Sequence, residues 1–232
     1  MDRRHIIIPI ILFLLFSCTI CAQENKLQFN IGIKAGVQAV TYNDADFKID
    51  GYSFARDNIQ SNKIGYTVAP FLRLTKGRFY IQSEATIGIT RHSFDFYDLD
   101  EIDSYDPSTR TPVYNLKTYC FQVPILIGYS FVKQGKFGIS LFTGPRTKFT
   151  FISHSKQEFN HFKYENLYEK LKKKTYYWEV GLGVNIHNVF FDFVYDIGLS
   201  DASEYISSGN EGEIFPTKRK DNILSFSVGM MF

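Results

Sequence analysis

The chain has 232 residues, and 26 Lys and Arg against 24 Asp and Glu leave a formal net charge of +2. That length holds one sizeable domain or two small ones, and the near balance of charge offers no strong field for nucleic acid or an acidic partner. Aromatic residues make up 17%, yet mean hydropathy is only −0.15, and past the N-terminus no apolar run is long enough for a spanning helix. This argues against a helical membrane protein and suits a β-barrel, whose alternating strands average to a bland value.

Residues 1–22 read as an export signal. Arg3 and Arg4 supply the positive region, and Ile6 to Phe16 supply an apolar run too short to cross a bilayer and broken by Pro9. Cleavage is expected at Ala22-Gln23, although Ile20 is an imperfect residue at the third position before the cut. The alternative is a lipoprotein cut before Cys18, which Phe16 fits poorly. Cys18 and Cys21 leave with the signal, so the mature chain keeps only Cys120 and forms no internal disulfide. Cys120 reads as a small residue packed in a strand.

Residues 23–232 then divide into eight alternating segments: 27–37, 63–74, 79–91, 116–131, 137–151, 176–186, 189–200 and 222–232. Each has about the length a tilted strand needs to cross the hydrocarbon layer. In the first, Leu27, Phe29, Ile31, Ile33, Ala35 and Val37 share one parity, and Gln28, Asn30, Gly32, Lys34 and Gly36 the other. The third sets Phe79, Ile81, Ala85, Ile87 and Ile89 against Tyr80, Gln82, Glu84, Thr86 and Gly88. The seventh sets Phe191, Phe193, Tyr195 and Ile197 against Phe190, Asp192, Val194, Asp196 and Gly198. Period-two alternation puts these sets on opposite faces.

Glycine gives the pattern a direction. Of 16 glycines, 11 lie in these strands, and all 11 fall on the polar parity. The interior of an eight-stranded barrel has room only for packed side chains, so small residues relieve crowding there. A soluble sandwich would instead place its charges outside. The glycine-rich, charged parity is therefore read as a lumen, with lipid around the apolar parity. Connections alternate strictly between short (75–78, 132–136, 187–188) and long (38–62, 92–115, 152–175, 201–221). Short periplasmic turns and long extracellular loops have this rhythm. The expected fold is all-β: an eight-stranded antiparallel up-and-down transmembrane β-barrel of the bacterial outer membrane.

The lumen parity carries Lys34, Arg73, Arg146 and Lys148 against Glu84, Glu179, Asp192 and Asp196. Arg146 and Glu179 lie on adjacent strands and are expected to meet, with Asp196 nearby. Paired buried charges persist where isolated ones do not, so the set reads as a polar plug. The rival reading is an ion path or a narrow small-solute channel. No convincing catalytic constellation is present: His92-Ser93 and His154-Ser155 are strand neighbours that point apart, and His187 sits in a short turn. His154 and His161 lack metal-ligand spacing. No cofactor, metal or catalytic residue is expected.

The long loops differ in charge. The second holds Asp95, Asp98, Asp100, Glu101, Asp103 and Asp106 without the glycine of an EF-hand. In the third, residues 156–174 carry Lys156, Lys163, Lys170, Lys172, Lys173 and Lys174 among Phe159, Phe162, Leu167 and Leu171, a pattern that suits a short amphipathic helix. Either the two loops attract each other over the barrel, or the basic segment meets lipid phosphates or an external partner.

The final strand presents Phe226, Val228, Met230 and the terminal Phe232 on one face, with Gly229 opposite. It resembles the signal read by the outer-membrane barrel-assembly machinery. The run Phe121-Gln122-Val123-Pro124-Ile125-Leu126-Ile127-Gly128-Tyr129, with Asn30-Ile31-Gly32-Ile33-Lys34-Ala35-Gly36 before it, resembles the Bacteroidetes PorT-like outer-membrane β-barrel family over about residues 23–232. That resemblance implies an OmpA-like eight-stranded barrel, mostly without an assigned role. The namesake of the family is associated with secretion of proteases and adhesins, which makes an accessory role in secretion the leading alternative to a structural or binding barrel. The implied partners are outer-membrane lipid, the assembly machinery and secretion-system or surface proteins.

Overall fold

The computed structural model describes residues 26–46, 48–49, 52–54, 64–98, 113–158, 167–208, 214–216 and 218–232. The export signal, its cleavage point, His161 and residues 100–106 of the acidic loop lie outside these. The chain forms β1 (Gln28–Asp46), β2 (Lys48–Ile49), β3 (Tyr52–Phe54), β4 (Gly65–Lys76), β5 (Phe79–Glu84), β6 (Thr86–Asp98) and β7 (Val113–Gln134). It continues through β8 (Phe137–Glu158), β9 (Leu167–Leu171), β10 (Lys174–Ile186), β11 (Val189–Gly198), β12 (Ser203–Ser208), β13 (Ile214–Pro216) and β14 (Lys218–Met231).

Antiparallel pairing runs β4, β5 with β6, β7, β8, β10, β11, β14 and β1, and β1 also pairs with β4, which closes the ring. With β5 and β6 taken as one interrupted stave, the ring is compatible with the expected eight. Closure leaves no unpaired edge in the hydrocarbon, where an unsatisfied backbone group is costly.

The third predicted strand, 79–91, is not continuous. It breaks at Ala85, whose N–H donates to the Pro70 carbonyl at 3.1 Å. Pro70 has no N–H to return, so the reciprocal ladder bond cannot form. Several staves overrun their predicted outer ends: β1 continues to Asp46, β6 to Asp98 and β8 to Glu158, β7 starts at Val113 and β14 at Lys218, whereas β4 starts at Gly65 and β11 ends at Gly198, each two residues short. Above the lipid neither face is apolar, so alternation fades from the sequence while backbone pairing continues.

The predicted helix within 156–174 is not found in the described part of that range. β8 takes Lys156, and Leu167–Leu171 forms β9, which joins β12 and β13 in a separate three-stranded sheet. An isolated helix this short is marginal without an apolar surface to bury on, whereas β12 offers a strand edge. Asp95 and Asp98 fall in β6 rather than in a loop. The described partners of the basic third loop are acids of the fourth: Lys170 with Glu204 at 3.0 Å and Lys172 with Asp201 at 3.6 Å.

The periplasmic turns use left-handed backbone at Gly77 (φ 64°), Gly135 (φ 57°) and His187 (φ 62°). At several strand positions glycine serves close approach. A Cβ on Gly144 would run into the Ile125 carbonyl oxygen, a backbone atom that cannot rotate away. Gly144→Ala is therefore expected to cost about 1–3 kcal/mol in a urea unfolding series in lipid vesicles. At Gly138 a new Cβ would meet nothing closer than 3.4 Å, and Gly138→Ala should stay within about 0.5 kcal/mol.

Candidate functional site

The buried and exposed parities are the ones the glycines indicate. Lumen positions along β10 and β11 are buried, while Trp178, Phe193 and Tyr195 between them are exposed to the surroundings of the barrel. An outward apolar band with an inward polar face is the arrangement that lipid demands.

The lumen is layered. Toward the short turns, four rings fill it: Phe71, Tyr80, Phe142 and Phe190. Each lies over a glycine of a neighbouring stave, respectively Gly32, Gly128, Gly181 and Gly229. Phe71 and Phe190 meet edge to face at 5.2 Å, and the Arg73 guanidinium sits 4.4 Å from the Tyr80 ring centre. Arg73 donates from Nε to Gln82 Oε1 at 2.5 Å, and Gln82 donates to Glu84 at 2.6 Å. The base thus has π-faces and an amide around it, and the amide relays it to a carboxylate.

Higher up lie two ionic groups. Lys34 Nζ is 2.7 Å from Glu84 Oε1 and 3.3 Å from Asp192 Oδ2. Arg146 Nη1 is bonded to Asp196 Oδ2 and lies 3.6 Å from Glu179 Oε2. Arg146 thus sits between the two acids, and Asp196, which was expected only nearby, is its tighter partner. Glu179 and Asp196 are register partners on β10 and β11, so one guanidinium separates two carboxylates that would otherwise repel. Lys148 stands apart, at 4% exposure, lining a small cavity with Thr118, Thr150, Thr175 and Tyr177.

The top of the lumen holds residues that the sequence reading assigned to loops. Arg219 Nη1 is 2.8 Å from Glu169 Oε1, and its Nε donates to Asp221 Oδ1 at 2.8 Å. Glu169 belongs to β9, so this bond fastens the three-stranded sheet to the barrel. Burial pushes the Glu169 carboxyl up, and the Arg219 guanidinium opposes that rise. Leu171, Lys172 and Ala202 of the upper sheet and its flanks line the same small cavity as Lys148, Arg219 and Asp221. The upper sheet therefore closes against this part of the lumen. The signal for these residues was faint: the Arg219, Asp221, Ile223 parity continues the lumen face of the last strand, but only once β14 is known to start at Lys218.

Phe226, Val228 and Met230 face outward and exposed, with Phe226 4.9 Å from the Phe193 ring, while Gly229 turns inward beneath Phe190. Phe232 is exposed, and its N–H donates to the Ile31 carbonyl at 2.8 Å, so the C-terminus is sewn to β1.

The model of the outer membrane protein beta-barrel domain matches residues 21–204. The chain belongs to that family. This outer-membrane barrel is also similar in structure to the outer membrane protein OprG from Pseudomonas aeruginosa, with a TM-score of 0.53 and 11% identity over 90% of this chain and 98% of that one. Ail, the attachment invasion locus protein of Yersinia pestis, bound to the heparin analogue sucrose octasulfate, matches at TM-score 0.40 and 12% identity over 88% and 99%. The outer membrane protease OmpT from Escherichia coli matches at 0.39 and 11% over 88% and 96%. OprG shares the fold. A search of curated proteins found no match.

The remaining candidates of the barrel fall outside its charged lumen network. Cys120 is buried and free, accepting from Gln122 Nε2 at 3.1 Å as a packed strand residue. His154 is exposed on the outer surface, edge-on to Tyr119 at 6.2 Å.

Proposed function

We propose that this outer-membrane barrel is non-catalytic, and that its role is structural or binding, carried by its outer surface and extracellular end rather than by passage through the lumen. The observation that carries this reading is the interlocking of lumen side chains. Gln82, Gln122, Leu126, Phe190 and Ile223 are each no more than 2% exposed, and Lys34 and Arg146 are ion-paired with Glu84, Asp192, Glu179 and Asp196. Eight staves leave little space once such side chains are in place. Export by the cleaved signal 1–22 and assembly through Phe226, Val228, Gly229, Met230 and Phe232 belong to the same proposal.

Planar-bilayer recording is the test. The purified barrel is expected to give no steady conductance, whereas long-lived uniform channels would replace this reading with the narrow small-solute channel. An accessory role in secretion is the second reading. It rests on the PorT-like run 121–129, which lies wholly within β7. Loss of protein export on deletion of the gene would favour it over a self-contained barrel.

A further inference from the structure

We propose that the outer rim of the barrel on β6, β7 and β8 binds the phosphate groups of outer-leaflet glycolipid through Arg91, Lys117 and His154. The cross-strand register sets these three side by side, Arg91 opposite Lys117 and Lys117 opposite His154. All three continue the lipid-facing parity. The adjoining row toward the turns is Tyr66, Ile89, Tyr119 and Ile152, register partners across four staves. Tyr66 and Ile152 in that row are each more than half exposed.

Aromatic rings at the edge of an apolar band mark the interface. With strands tilted by about 45°, roughly 30 Å of height separates Arg91 from the turn at Gly77, which places the basic row at the outer leaflet. Among the described side chains the cations lie against rings: Arg91 is 5.8 Å from the Tyr66 ring centre and Lys117 5.0 Å from that of Tyr119. Lys174 repeats the arrangement over Phe149 and Tyr176 one stave further round.

Charge complementarity identifies the occupant. Among the side chains described on β4 to β8 and β10, the acids Glu84 and Glu179 are buried in the lumen, and the outer end of the lipid-facing parity carries the bases Arg91, Lys117 and Lys174. At the opposite rim the bases are already used: Arg78 donates to the Phe131 carbonyl and Lys133 to that of Gly77. The outer bases have no such acceptor among the described residues. Long basic side chains that rest their stems on apolar surface and lift their heads to the interface meet phosphate there.

The test uses the full-length protein folded in dodecylmaltoside micelles, titrated with diphosphoryl lipid A and with lipid A stripped of both phosphates, with binding read by native mass spectrometry. The wild-type protein is expected to prefer the phosphorylated lipid about 10-fold or more, and equal binding would overturn the proposal without any variant. Arg91→Gln, Lys117→Gln and His154→Gln together should abolish that preference, while Lys133→Gln with Lys136→Gln at the other rim should keep it. A preference that survives the first set, or falls equally with the second, overturns the site. Heat-modifiable gel mobility verifies folding, and the single change Lys117→Gln at a half-buried position, expected to lose about 5-fold, serves if the triple variant does not fold. Displacement of the lipid by excess inorganic phosphate would assign the site to free phosphate and overturn the lipid assignment.

Discussion

Arg146→Met is expected to destabilise the folded barrel by about 3–5 kcal/mol, because it strands two buried carboxylates rather than because one ion pair is lost. Arg146 is the base shared by Glu179 and Asp196, and these acids are 2% and 0% exposed. Without it they lie side by side across β10 and β11 with no guanidinium between them. The measurement is urea unfolding in lipid vesicles, followed by heat-modifiable gel mobility. The same logic makes a second variant informative. Adding Glu179→Gln and Asp196→Asn to Arg146→Met removes the stranded charge, and the triple variant should be more stable than the single one. A triple variant less stable than Arg146→Met would show that packing of the guanidinium, not charge compensation, holds this layer. Bilayer recording of the single variant adds a check on the proposed closed lumen: a channel seen only after the arginine is removed would identify Arg146 as part of the plug.

Arg219→Met should act on a different part of the molecule. Arg219 is 1% exposed and joins Glu169 of β9 to Asp221 of β14. The three-stranded sheet has other ties to the barrel, among them the Ala202 N–H to the Arg219 carbonyl at 2.7 Å and the Thr150 N–H to the Lys173 carbonyl at 2.9 Å. These are backbone bonds and survive the substitution. Loss of the buried guanidinium leaves Glu169 without that base, at a cost of about 3–5 kcal/mol, and the cheapest relief is to lift β9 toward water. The expected result is local opening, with the membrane-spanning ladder intact. Trypsin should then cut the native variant at Lys170 or Lys172 at least 10-fold faster than the wild-type protein. Backbone amides of β9 and β12 should exchange faster, with those of β10 and β11 unchanged. Uniform acceleration through all strands would mean that Arg219 supports the whole barrel rather than its upper sheet.

Much of the barrel is legible in the sequence. The alternation of Phe191, Phe193 and Tyr195 with Asp192, Val194 and Asp196 placed one set toward lipid and the other inward. The glycines said which was which, since Gly32, Gly128, Gly181 and Gly229 each lie under an inward ring. The rings themselves were less visible. Phe71, Tyr80, Phe142 and Phe190 sit on the parity that also carries charge, and hydropathy alone would send them outward. Lys34, Arg73, Glu84, Arg146, Lys148, Glu179, Asp192 and Asp196 are all buried on the lumen face. Their partners were not legible, apart from Arg146 and Glu179 on adjacent staves. Lys34 reaches Glu84 and Asp192 across the barrel, and such distances depend on closure and stagger rather than on sequence separation.

The outer end departs from the sequence pattern for a related reason. Where strands rise above the lipid, neither face is apolar, and the period-two signal that marks a spanning strand disappears. Residues 201–221 therefore looked like loop, and the pattern at 156–174 favoured a helix. Pairing with β12, and the pull of Arg219 on Glu169, settled Leu167–Leu171 as a strand instead. The sequence by itself determined the barrel topology and the lumen-facing parity, because each follows from how a single strand meets lipid on one side and crowding on the other. Tertiary structure decided which charges meet, how far the staves extend and where the upper sheet is fastened. Those depend on register between distant strands, and no local pattern encodes it.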